Sequence, residues 1–176
     1  MAKALVFDTT PLIYMIRVSL SEALGSLDNP KILPQSVYDE LLVGEGSGFP
    51  EATVIRELVD GKNMIVTRPR NPSLAGRLIK IAAENQNRPL HVAEAEALAI
   101  AKELNGILIA DDQAARSAAR LIGAESHGTG YLLGRMFQRG QISKEEAVRK
   151  VTEMRRAGWR LSEDDYRTIL DYLRKL

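Results

Sequence analysis

Ala4-Leu5-Val6-Phe7-Asp8 and Gly106-Ile107-Leu108-Ile109-Ala110-Asp111-Asp112 decide the fold. Each is a short apolar run that stops at a carboxylate. Runs of this kind, bounded by turn or polar residues, read as strands buried on both faces. Burial on both faces is the mark of a parallel sheet covered by helices. In such sheets ligands bind outside the carboxyl ends of the strands. Two strands that deliver acids to that edge point to a site that holds cations.

Outward from these runs, strands and helices alternate. Thr10-Pro11 reads as a helix start, with Thr as N-cap and Pro at the first helical position. That helix is expected to run to about Leu24 and to end at Gly25. Ile32-Leu33 is a short strand, and Pro34 opens a helix through Leu42. Gly44-Glu45-Gly46-Ser47-Gly48 reads as a loop. A helix over 51–61, a strand over 64–66 and a helix opened by Asn71-Pro72 follow. Residues 91–105 form a helix, 107–110 a strand, 113–122 a helix, and 124–127 a last strand. From Gly128 onward the chain reads as helical, with capping signals at Ser143-Lys144-Glu145-Glu146 and Ser162-Glu163-Asp164-Asp165. This order predicts an α/β fold, a parallel sheet between helical layers. Residues 1–128 make the sheet domain, and residues 129–176 a helical C-terminal extension.

Composition removes several function classes. With 176 residues, 45% of them hydrophobic, the chain can bury one substantial core. The absence of cysteine excludes disulfides, zinc–thiolate sites and a Cys nucleophile. Two histidines, His91 and His127, are too few for a His-rich metal site. A net charge of +1 means that a polyanion would have to meet a local patch. No apolar run approaches the roughly 18 residues of a membrane span. The chain opens straight into a strand, without a signal-peptide layout, so a soluble, cytoplasmic protein is expected.

Asp8, Glu40, Glu94 and Asp112 are the candidate site residues, with Asp111 and Glu96 as near neighbours that compete for the same roles. Singly, each has an ordinary explanation. Asp8 and Glu94 sit at helix starts, where acids favour the dipole. Asp112 is a good N-cap. Glu40 suits a solvated helix face. Jointly they are different, because a parallel sheet brings Asp8 and Asp112 to one edge and places Glu94 and Glu40 on helices beside it. Carboxylates crowded in a cleft raise one another's pKa unless a cation compensates. Oxygen ligands without His or Cys favour a hard cation, Mg²⁺ or Mn²⁺. Such a site suits phosphodiester hydrolysis.

The same residues resemble a known family. Val6-Phe7-Asp8-Thr9-Thr10-Pro11-Leu12 resembles the opening of PIN-domain ribonucleases, where a strand ends in Asp and a Ser, Thr or Asn lies two residues on. Glu40 in Ser36-Val37-Tyr38-Asp39-Glu40-Leu41-Leu42 matches the second acid, and the segment from Glu94 to Asp112 matches the third and fourth. The family often has Asp where this chain has Glu94, and Thr where it has Ala110. The resemblance covers about residues 3–128, and the extension is similar to that of a prokaryotic PIN-like group. It implies a PIN-like three-layer sandwich and metal-dependent cleavage of single-stranded RNA. Many members, the VapC-type toxins, are held inactive by an antitoxin protein, and PIN domains commonly form homodimers. The competing class is a non-catalytic PIN-like module that binds RNA or a protein partner. An aspartate-nucleophile phosphatase would need a second Asp at the place held by Thr10.

Three further features are open at this level. Arg116 and Arg120 share a helix face and read either as solvated or as phosphate contacts. Gly128-Thr129-Gly130 is too short and misplaced for a P-loop. Trp159, the single tryptophan, reads as packing for the tail.

Overall fold

The computed structural model describes residues 2–45, 49–85 and 89–176. Five strands form one all-parallel sheet: β1 (Leu5–Phe7), β2 (Lys31–Pro34), β3 (Ile65–Thr67), β4 (Ile107–Ile109) and β5 (Glu125–His127), in the order β3-β2-β1-β4-β5. The chain builds outward from β1 through β2 to β3, then crosses back to place β4 on the other side of β1 and β5 beyond it. The topological switch point therefore lies between β1 and β4, the place where open α/β sheets bind ligands. Phe7 is in register with Ile109, and the Asp8 N–H donates to the Ile109 carbonyl at 2.9 Å. The two apolar runs that end in aspartate are thus adjacent central strands.

Helices cover both faces. Side chains alternate along a strand, so Leu5 and Phe7 enter one core and Val6 the other. The first core takes Leu12 and Met15 of α1 (Thr9–Arg17), Leu24 of α2 (Ser21–Gly25), Val37 of α3 (Gln35–Glu45) and Ile55 of α4 (Pro50–Asp60). It also takes Leu132 and Met136 of α8 (Thr129–Gln138), Val151 and Met154 of α9 (Lys144–Arg156) and Leu173 of α10 (Glu163–Lys175). The second core joins Val6, Ile32 and Leu108 to α5 (Pro72–Asn85), α6 (Val92–Glu103) and α7 (Gln113–Leu121). Small residues let α6 press against the sheet, and Ala93, Ala95, Ala97, Ala99 and Ala101 are all buried. Among the described residues, no helix is long and apolar enough to cross a membrane.

Local differences from the expected elements have physical causes. The helix expected over 10–24 is two helices, because Ser19 takes a left-handed conformation (φ 60°). The Leu20 N–H then closes on the Met15 carbonyl at 2.9 Å. Thr10 is not the N-cap. Asp8 holds that place with extended backbone, so Pro11 falls in the first turn, where its missing N–H costs nothing. Pro34 ends β2 rather than opening a helix. Gly44 and Glu45 belong to α3, and Gly46-Ser47-Gly48 of the expected loop lie outside the described residues. Ser143 and Ser162 do cap their helices, accepting from the backbone N–H of Glu146 and Asp165 at 3.0 Å each.

The last helix is held by close approach. A Cβ on Gly130 would stand 2.9 Å from Ile169 Cγ2, so the glycine lets α10 lie directly on α8.

Candidate active site

Asp8 leaves the carboxyl end of β1 as the N-cap of α1 and is 7% exposed. Burial pushes its carboxyl from the ordinary range up to about 7, against the pull of the Thr9 backbone N–H. Glu94, Asp111 and Glu40 add like charge and push the same way. Those three acids therefore share the neighbourhood of Asp8, although they come from α6, the turn after β4, and α3.

Each is placed by its own element. Because α6 leads into β4, its first turn lies at the carboxyl edge of the sheet. Glu94 sits in that turn, buried, and its Oε2 accepts the His91 N–H at 2.8 Å. This contact is the acid arm of a capping box. Glu40 is exposed on α3, and its Oε2 accepts the Thr9 hydroxyl at 3.1 Å. Glu96, the alternative to Glu94, accepts the Ser36 hydroxyl at 2.6 Å and so ties α6 to the start of α3.

The adjacent Asp111 and Asp112 have separate surroundings. Asp112 is the N-cap of α7, with Oδ1 accepting from the N–H groups of Ala114 (2.8 Å) and Ala115 (3.1 Å). Asp111 turns toward the C-terminal helices. Its Oδ1 accepts the Thr129 N–H at 2.7 Å, and its Oδ2 accepts the Thr129 hydroxyl at 2.7 Å and the Trp159 indole N–H at 3.0 Å. A Cβ on Gly128 would lie 2.9 Å from Asp111 Oδ1, so glycine there lets the backbone close on the carboxylate. Burial pushes the Asp111 carboxyl up, and the Thr129 and Trp159 hydrogen bonds and the Arg116 charge oppose that push.

The sequence puts the weight on Asp112, with Asp111 as its rival, and misses the clasp on Asp111. Thr129 is 18 residues away and Trp159 is 48. The available signals were a Gly-Thr-Gly turn after the last strand and a lone indole near the final helix. Trp159 does pack the tail, at 3% exposed and beside Tyr14, and its polar edge also reaches the acid.

A cavity of about 460 Å³ opens at this edge, lined by Thr10, Tyr14, Asp111, Asp112, Trp159 and Arg160, among others. Among the described residues, no group of three or more His, Asp or Glu is already arranged around a metal position. Mg²⁺ does not require one, since it keeps several waters and takes one or two carboxylates plus substrate phosphate. The donor set is all oxygen, and Asp8 is a buried carboxylate among other acids. These residues fit a hard dication at Asp8.

In a comparison with models of protein families, DUF3368, described as a PIN domain, matches residues 4–175. No curated protein matches the chain.

Two outcomes follow from the site. Unfolded, Asp8 ionises near the ordinary carboxylate value of about 4, whereas folded it does so at about 7. Between those values the folded protein holds a proton that the unfolded chain has lost, so stability falls as pH rises. In chelator, Asp8→Asn should exceed the wild type in stability by about 2–4 kcal/mol near pH 8, and the difference should vanish below about pH 4. Urea unfolding across that range measures it, and a pH-independent difference refutes the assignment. Trp159→Phe keeps a ring beside Tyr14 but removes a donor to a carboxylate. It should cost about 1.5–3 kcal/mol by thermal or urea unfolding. A loss under about 0.5 kcal/mol would show the clasp to be idle.

Proposed function

The chain belongs to the PIN-domain family DUF3368, and from that premise we propose that it is a divalent-metal-dependent endoribonuclease acting on single-stranded RNA. A PIN domain is a nuclease fold, and PIN domains usually use divalent metals. The observation that carries the reading is Asp8: a buried carboxylate at the switch point, pushed to about 7 with acids around it. A buried charge is tolerated when it is paired or coordinates a metal.

Asp8, Glu40, Glu94 and Asp112 are the residues assigned to hold Mg²⁺ or Mn²⁺, with Asp111 beside them. When bound, the ion supplies the positive charge and Lewis acidity that phosphodiester hydrolysis needs. The chain contributes positioning. Asp8 is fixed by β1 and by the start of α1. Glu94 is fixed by its capping contact with His91. Glu40 stands at the solvent side, tethered through Thr9, where a polymer arrives first. The cavity beside Asp111 and Asp112 is rimmed by Arg160, a cation of the right sign for a phosphate backbone.

A second reading, a PIN-like module that binds RNA or a protein without cleaving, is favoured by the internal bonds of the acids. Glu94 and Asp112 both accept backbone N–H groups, as helix-capping residues would in an inactive remnant. The toxin role, the antitoxin partner and the homodimer rest on the family resemblance.

The test separates the two readings. Purified wild type with Mn²⁺ or Mg²⁺ should cleave end-labelled single-stranded RNA and stop in chelator, and Asp8→Asn should lower the rate by about a hundredfold or more. No cleavage under any of these conditions, or cleavage untouched by the substitution, rejects the catalytic reading. RNA binding that survives in chelator without cleavage in metal supports the binding module.

A further inference from the structure

Asp111 lines two cavities. One is the cleft already described. The other, of about 520 Å³, lies between the end of β5, α8 and α10. The linker between α9 and α10 contributes to both, with Trp159 and Arg160 in the first and Leu161 in the second. In the ribonuclease reading, RNA at the acid edge has nucleotides on either side of the reacting phosphate, and the second cavity shares Asp111 with the cleft at that edge.

Its walls have a particular chemistry. His127 and Tyr131 stack with centroids 4.1 Å apart and planes 9° from parallel. Leu161 and Ile169 add apolar surface. Polar groups of both kinds stand around them: the Arg116 guanidinium donates, the Asp165 carboxylate accepts, and Thr168 and Tyr172 carry hydroxyls. The Ser162 hydroxyl donates to Asp165 Oδ2 at 2.7 Å, which holds this carboxylate in place at the cavity. Asp111 and Asp165 both line the cavity, and two carboxylates disfavour a phosphate there. A flat group with apolar faces and mixed donors and acceptors at its edge is what suits this cavity. A nucleobase has that form, and unpaired bases are recognised by stacking together with edge hydrogen bonds. The volume lies within the ordinary range for small-ligand pockets, roughly 300–1,000 Å³.

We propose that this second cavity seats the base of a nucleotide next to the scissile phosphate of single-stranded RNA. The assignment rests on the ribonuclease reading for its neighbour, but the cavity binds the base without cleavage. A base in a duplex is stacked and paired, so such a seat selects unpaired strands. Arg116 is then a substrate contact, while Arg120 is exposed and donates to the Ser117 hydroxyl.

The full-length Asp8→Asn protein is titrated with AMP, GMP, CMP and UMP in chelator, with His127 and Tyr131 ring resonances followed by NMR. At least one nucleotide should shift both rings. Thr168→Trp fills the cavity from an exposed position on α10, and His127→Ala removes one ring of the stack. Each, added to Asp8→Asn, should weaken nucleotide binding by about tenfold or more. In the cleaving protein, each should raise KM for RNA more than it lowers kcat. Nucleotides that leave both rings unmoved, equal binding to the filled cavity, or tighter binding of free tryptophan than of any nucleotide overturns the proposal. Nucleotide binding as described in a wild type that cuts no RNA refutes the ribonuclease reading and leaves the base seat standing. Efficient cleavage with KM unchanged in both variants removes the base seat alone.

Discussion

Two carboxylates at the carboxyl edge of the two central strands set the terms for the rest of the molecule. Removing a carboxylate from water costs several kcal/mol unless the protein or a ligand replaces the hydration. For Asp111 the protein does so, with three hydrogen bonds from Thr129 and Trp159. For Asp8 it supplies the Thr9 N–H and surrounds it with further acids. The asymmetry between the two is the physical content of the site. One acid is a structural anchor and the other is held short of compensation at the place where such sheets bind ligands.

The anchor explains how the C-terminal helices relate to the acids. Thr129 begins α8, and Trp159 ends the turn after α9. Both close on Asp111, and Gly128 and Gly130 remove the side chains that would keep the backbone and α10 away. Leu132, Met154 and Trp159 then fill the same core as Leu5 and Phe7. A change in these helices therefore reaches the acid edge through a hydrogen bond as well as through packing.

Much of this architecture was legible because it is local. The apolar runs at 4–7 and 107–110 read as inner strands, and the acids that end them followed. Ser143 and Ser162 announced their helices by side chain and spacing. The break at Ser19 was hidden, since no Gly or Asn marks its left-handed turn. The choice between Asp111 and Asp112 was hidden for a different reason. Both acids follow the same strand, and what separates them is a helix start one residue away against contacts 18 and 48 residues away. The neighbourhood of Asp8 was partly legible, as strand ends and helix starts place Asp8 and Glu94 at one edge. The tether from Glu40 to Thr9 depends on how α3 lies against α1, which no local pattern encodes.

In the proposed function Asp8 is an under-compensated carboxylate that a hard cation would neutralise, and the titration of that one side chain tests it. Carbon-13 NMR of the Asp8 carboxyl in chelator should show a midpoint near 7. Addition of Mg²⁺ should move the midpoint down by about two pH units or more, as a bound dication favours the charged form. A midpoint near 4 in chelator, or one near 7 that Mg²⁺ at tens of millimolar leaves in place, would show that Asp8 is not such a site.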